Sequence, residues 1–292
     1  MSALLLPTIW ADHRLEWGER THVMGIVNVT PDSFSGDGLV IDTSSEENLV
    51  QRAILLAQKF VAEGATLIDV GGESTRPNAA PISAEHEMAR VIPVLRSLRE
   101  KLPQEVILSI DTYKAEVAAA ALDAGASMIN DIWALRRDPA MAKLAAERCV
   151  PVVLMANMRG YQKREIVSDV MRYLAGCIDH ALAAGVAWEH IIIDPGIGFG
   201  TTPQENLTLL RRLGELRALN RPILLGNSRK STIGLVLGGL PVSERLEGTA
   251  ASVALGIAQG ADIVRVHDVH AMMRVVKVSD AIVRGTFTLP DG

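Results

Sequence analysis

The chain has 292 residues, 48% of them apolar and 22% charged, with a formal net charge of −5. This composition is that of an ordinary globular protein with a large core, and the acidic balance excludes a basic face suited to nucleic acid. No apolar run approaches the ~20 residues of a membrane span. The start MSALLLPTIWADHR lacks a basic n-region, and Cys149 and Cys177 are isolated, so an ordinary start and a reduced, cytoplasmic chain are expected.

Short β-branched runs recur along the chain. They predict eight strands: His22–Asn28, Thr66–Val70, Val106–Asp111, Met128–Asp131, Pro151–Met155, His190–Asp194, Ile223–Gly226 and Ile263–Val266. Amphipathic stretches predict helices over Glu46–Glu63, Ala84–Lys101, Ala115–Ala124, Pro139–Arg148, Ile166–Ala184, Pro203–Leu216, Ser243–Gly260 and Ala271–Arg284. Gly64, Gly125, Gly185 and Gly260 end the helices before the second, fourth, sixth and eighth strands. Strands without polar alternation are buried on both faces, which indicates a parallel sheet. Eight such units fit an α/β fold of the closed (β/α)₈ TIM-barrel type. The expectation is a single domain over residues 1–292 with the barrel core at about 22–284. An open doubly wound sheet is the runner-up, but it gathers its ligand groups near one switch point. Here polar groups follow nearly every strand.

In a barrel the C-terminal strand ends carry the chemistry. The first strand runs into Asn28 and a long polar loop to Gly38, and the neutral Asn28 oxygen suits Mg²⁺ beside phosphate. The second leads through Asp69, Gly71-Gly72, Glu73 and Ser74 to Arg76, a candidate anion ligand. Asp69 and Glu73 stand open between a pocket role and a structural network with neighbouring strands. The third, fourth and sixth strands end on Asp111, Asn130-Asp131 and Asp194. Carboxylates and an amide with few cations suit a neutral heterocycle rich in N–H donors. Singly, each is also a favoured helix N-cap. The seventh strand leads to Ser228-Arg229-Lys230-Ser231, where a helix start adds anion-binding N–H groups. The eighth places Arg265 and His267 on one strand face, suited to a diphosphate by charge and by hydrogen bonds.

The blocks MGIVNVTPDSFSGDG, LIDVGGESTRP, SIDTYKAEV, INDI, IIIDPGIGFG, LLGNSRKSTIG and RLEGTAASVALGIAQGADIVRVHDV occur in order from about residue 23 to 270. Together they resemble the dihydropteroate synthase family. The resemblance implies condensation of (7,8-dihydropterin-6-yl)methyl diphosphate with 4-aminobenzoate. By matching position it implies that Asp111, Asn130, Met155, Asp194 and Lys230 hold the pterin, with Asp111, Asp194 and Lys230 catalytic. Asn28, as the Mg²⁺ ligand, would join Thr75, Arg265 and His267 around the diphosphate. Phe34, Arg76, Pro77, Phe199 and Ser231 would surround 4-aminobenzoate. A homodimer through the late helices is implied as well. The first and second loops, at Asn28–Gly38 and Ser74–Ser83, are expected to close over the site. The sequence departs from the family pattern after the fifth strand, where Ala156 stands in place of the usual His, with Asn157 or Arg159 as substitutes. It also has Thr201 where the family often has Lys. A corrinoid-dependent methyltransferase and a non-catalytic pterin-binding paralogue are the competing classes. The first should not need the anion groups at Ser228–Ser231 and Arg265–His267; only Ala156 invites the second.

Overall fold

A computed structural model describes residues 5–30, 46–74 and 80–287. Within them eight parallel strands form one sheet: β1 His22–Asn28, β2 Leu67–Gly71, β3 Ile107–Asp111, β4 Met128–Asp131, β5 Val152–Met155, β6 Ile191–Asp194, β7 Leu224–Leu225 and β8 Ile263–Val266. The strand order is β6-β5-β4-β3-β2-β1-β8-β7. A parallel bridge between Ile193 and Ile223, with the Ile193 N–H donating to the Pro222 carbonyl at 2.9 Å, joins the two ends into a barrel. Leu67, Ile68, Leu108, Ile110, Met128 and Ile129 are all fully buried although neighbours along a strand face opposite sides. That double burial is why these strands read as mostly apolar runs without polar alternation.

The helices are α1 Glu46–Ala62, α2 Ala84–Lys101, α3 Ala115–Asp123, α4 Met141–Arg148, α5 Ile166–Ala183, α6 Pro203–Arg211, α7 Ser231–Val236, α8 Leu246–Ala258 and α9 Val269–Val283. Gly64, Gly125, Gly185 and Gly260 all adopt positive φ after their helices, as expected of C-terminal caps. Among the described residues no helix is long and apolar enough to cross a membrane.

Three elements differ from expectation. The seventh strand is only Leu224–Leu225, because the Ile223 N–H is taken by the Asp262 carboxylate at 3.0 Å and the chain turns away after Gly226. The helix expected over Pro203–Leu216 stops at Arg211 and continues as a 3₁₀ segment, Leu213–Leu219, with the Gly214 N–H donating to Gln259 Oε1. The helix expected from Ser243 begins at Leu246, after a 3₁₀ turn over Val242–Glu244.

One element went unforeseen. Thr8–Trp10 and His13–Leu15 form an antiparallel ribbon at the N-terminal end of the barrel. Its Thr8 Oγ1 donates to the Glu189 carbonyl at 2.6 Å, and the Ile9 carbonyl lies 3.0 Å from His190 Nε2. Trp10, Leu15 and Trp17 are buried beneath the strands. Removing such large apolar groups from water stabilises this end, and leaves the opposite mouth for ligands.

Candidate active site

Strand register brings the predicted groups together at the C-terminal mouth. Asn28 pairs with Gly71, Gly71 with Asp111 and Asp111 with Asn130, so four successive strands end in one row. Gly71 leaves the side-chain oxygen of the half-buried Asn28 uncrowded. Beneath the row lies Asp69, fully buried, whose Oδ2 accepts from Arg265 Nε at 2.6 Å and from Asn130 Nδ2 at 2.9 Å. Arg265 also donates through Nη2 to Asp111 Oδ2 at 2.7 Å. One guanidinium from β8 thus straddles the carboxylates of β2 and β3. Burial pushes the Asp111 carboxyl up from its ordinary range, and Arg265 opposes that rise. Asp69 is thus part of a network with neighbouring strands, one of the two readings open for it.

On the far side, Asp194 ends β6, paired in register with the buried Met155 of β5. Its Oδ1 accepts from the Gly196 N–H at 2.7 Å. Burial raises its pKa to about 6, against the pull of that hydrogen bond and of Lys230. Gly226 keeps space open beside Asp194 Oδ2, where a Cβ would stand 3.6 Å away. Lys230 extends past Gly198 and sets its ammonium 4.4 Å from the centre of the Phe199 ring. Burial lowers the Lys230 pKa to about 8, with Asp194 opposing. Ser231 is exposed and opens α7.

At the anion end Arg265 is the charged member of the Arg265–His267 pair. His267 does not bring charge: burial, helped by Arg229 and Arg265, lowers its pKa to about 3. Its ring is neutral at pH 7 and lies 3.0 Å from Ser228 Oγ, placed for hydrogen bonding. Arg229 adopts a left-handed backbone (φ 56°) and forms a two-pronged pair with Asp268, at 2.9 and 2.5 Å.

Asp131 and Glu73 serve the scaffold. Asp131 accepts the N–H groups of Trp133 and Leu135, both at 2.8 Å. Glu73 accepts from Lys114 at 2.6 Å and from the Tyr113 hydroxyl at 3.1 Å. After β5, Asn157 braces backbone, donating to the Ile132 carbonyl and accepting from the Arg159 N–H. Arg159 reaches the site instead, its guanidinium 5.0 Å from the Phe199 ring centre. From sequence alone Arg159 stands only as an alternative to Asn157. Phe34, Thr75, Arg76 and Pro77, with most of the two loops expected to close, lie outside the described residues.

The raised pKa of Asp194 makes a stability prediction. Its folded pKa of about 6 exceeds the unfolded value of ~3.9. Its favourable contribution is therefore complete below pH ~4 and lost as the pH rises through about 6. Asp194→Asn keeps an oxygen for the Gly196 N–H and removes the buried charge. Without ligands, its thermal midpoint relative to wild type should rise between pH 5 and pH 8, by the equivalent of roughly 1–2 kcal/mol. A constant difference across that range counts against a buried, charged Asp194.

The chain is similar along most of its length to known proteins. The family model described as Pterin binding enzyme matches residues 24–267. A dihydropteroate synthase of Clostridium beijerinckii is 47% identical over 268 residues, covering 91% of this chain and 96% of that protein. The crystal structure of a Clostridium difficile dihydropteroate synthase, solved in the presence of pteroic acid, superposes with a TM-score of 0.86 at 44% identity, covering 92% of this chain and 99% of that one. A Xanthomonas albilineans dihydropteroate synthase in complex with 7,8-dihydropteroate gives 0.84 at 39% identity, covering 95% and 98%.

Proposed function

We infer the chemistry of this site from one premise: the chain belongs to the pterin-binding enzyme family. Its activity is that of a dihydropteroate synthase. It condenses (7,8-dihydropterin-6-yl)methyl diphosphate with 4-aminobenzoate, giving 7,8-dihydropteroate and diphosphate in folate biosynthesis. The observation that carries this is the near-full-length likeness to a synthase structure that holds the product. The groups at Ser228–Ser231 and Arg265–His267 go beyond what a methyltransferase of the family needs.

In the mechanism we propose, Asp111, Asn130, Asp194 and Lys230 bind the pterin, the acids accepting from its amino and ring N–H groups. Met155 packs against the ring. The methylene–oxygen bond breaks first and its electron pair leaves with the diphosphate. The methylene cation that forms is conjugated to the pterin, and Asp194 stabilises it together with Asp111, whose negative charge Arg265 favours against burial. The arylamine nitrogen then attacks that carbon and gives up its proton. As an uncharged nucleophile at neutral pH it needs little help from a base, so positioning carries much of the rate. Arg265 and neutral His267 hold the diphosphate together with Thr75. Ser231 meets the carboxylate of 4-aminobenzoate, and Phe199, with Phe34, Arg76 and Pro77, bounds its ring.

Among the described residues no group of three or more His, Cys, Asp or Glu side chains gathers as metal ligands. A Mg²⁺ would be held chiefly by substrate phosphate, with the oxygen of the half-buried Asn28 at the end of β1 as the protein ligand. When bound, Mg²⁺ supplies positive charge to the departing diphosphate. The test is to mix the protein, Mg²⁺, the pterin diphosphate and radiolabelled 4-aminobenzoate and to look for dihydropteroate. Product should form, vanish with EDTA and return with Mg²⁺, and Asn28→Ala should raise the Mg²⁺ needed. Product formation indifferent to EDTA would rule out the metal.

A homodimer in the cytoplasm completes this reading. Large apolar side chains stand exposed on the late helices, among them Leu235 and Val236 on α7, Leu255 on α8, and Val278 and Ile282 on α9. Ile282 is 78% exposed. Apolar side chains exposed on these helices are what a homodimer interface there would cover. Sedimentation should give twice the 31.4 kDa chain mass, and Ile282→Glu should shift the molecule toward monomer. A wild-type monomer at micromolar concentration argues against it.

A further inference from the structure

The end of β5 is tied closely to the loop after β6. A side chain at Gly196 (φ 71°) would run into the Ala156 carbonyl, and one at Gly200 (φ 75°) into the Met158–Arg159 backbone. The Met158 N–H donates to the Phe199 carbonyl, and the Phe199 N–H to the Gly196 carbonyl, both at 3.0 Å. These bonds hold the main chain of Phe199. They do not hold its ring, which stands half-buried between Gly198 and Gly200, two residues without side chains to pack against it.

Two cations do meet the ring. Lys230 Nζ lies 4.4 Å from its centre and the Arg159 guanidinium 5.0 Å. Both are within the range where an aromatic quadrupole attracts a cation. Lys230 also reaches toward Asp194 and the pterin pocket, so it links the ring to the first substrate. Arg159 comes from the segment after β5, the strand end whose part in the site the sequence left open. Its neighbour Arg137 is seated in the same manner, 4.6 Å from the Tyr113 ring and 4.8 Å from that of Trp133. Two arginines after neighbouring strands are thus seated on aromatic rings.

We propose that Arg159 is a positioning residue for the second substrate: its guanidinium, seated on Phe199 together with the Lys230 ammonium, holds that ring as the wall against which the arylamine binds. This rests on the reading of Phe199 as part of the 4-aminobenzoate site. Arg159 touches neither reacting atom in this account. It acts through Phe199, so its loss should appear in the binding of one substrate and not of the other. The role also fits the departure at Ala156, since this chain fills the fifth strand end with a cation three residues further on.

Steady-state kinetics on the full chain, with both substrates varied, provide the test. Arg159→Gln should raise KM for 4-aminobenzoate about five-fold, as expected for a lost cation–ring contact. kcat and KM for the pterin diphosphate should stay within about two-fold, and Arg159→Lys should recover most of the loss. In a Phe199→Leu background, which should itself raise the same KM, Arg159→Gln should add nothing, because the two residues form one contact. If the glutamine variant does not fold, Phe199→Leu and Arg159→Lys carry the test. Phe199→Leu must then raise KM for 4-aminobenzoate selectively, and the lysine variant must stay near wild type. Additive effects of the two substitutions, parallel rises in both KM values, or no change in either overturn the proposal. A wild-type chain that makes no dihydropteroate overturns the functional reading beneath it.

Discussion

Asp111→Asn should slow single-turnover formation of dihydropteroate by roughly 100- to 1,000-fold, while the barrel stays folded. The substitution preserves the shape of the side chain and an oxygen for Arg265 Nη2, now 2.7 Å from Asp111 Oδ2. What it removes is one negative charge at a buried strand end, where the reaction develops positive charge. Fixed charges directed at a transition state act strongly because the protein does not reorganise to supply them, and single groups of this kind are worth about two to three orders of magnitude. Ground-state binding of the pterin should weaken less, since an amide still accepts one hydrogen bond. Rapid quench with enzyme in excess reads the chemical step directly, and circular dichroism checks the fold. A variant with near wild-type single-turnover rate would sink the dissociative mechanism.

Arg265→Met should cost stability as well as activity. The guanidinium satisfies two carboxylates at once, and one of them, Asp69, has no exposure to solvent. Methionine approximates the volume but leaves both acids without their cation. Removing one partner of a buried ion pair typically costs ~3–5 kcal/mol, because the remaining charge is buried unpaired. The sign of the pH dependence follows from Asp111, which burial already holds above its ordinary range with Arg265 working against that rise. Without Arg265 its folded pKa climbs further, so stability is lost as the pH rises through that value. Urea unfolding should therefore show a larger penalty at pH 8 than at pH 5. A penalty under about 1 kcal/mol at pH 8, or one independent of pH, contradicts the double pairing. Activity should fall too, since Asp111 loses the group that orients it.

Much of the fold was legible because a strand buried on both faces is mostly apolar and lacks the polar alternation of a half-exposed one. Val23–Val27, Ile107–Ile110 and Ile191–Ile193 therefore stood out, and the polar residue closing each run marked a strand end. Asp111, Asn130 and Asp194 were found in this way. Lys230 was found as the residue before a helix start, and the capping glycines reported where helices stop. The ribbon at Thr8–Leu15 escaped because strands of three residues have no readable period. The shortness of β7 escaped because it depends on Asp262, nearly forty residues later, taking the Ile223 N–H.

Within the site, the sequence by itself determined which residue types stand at each strand end, and hence a heterocycle pocket beside an anion pocket. Only the tertiary structure decided how those groups share charge. Arg265, read as an anion holder, is bound to Asp69 and Asp111. His267 is neutral, and Arg159 is seated on Phe199. The physical reason is that identity and spacing are local properties, set by the period of a strand or helix. Pairing and desolvation depend on which strands the closed barrel brings together, here residues as far apart as 69 and 265.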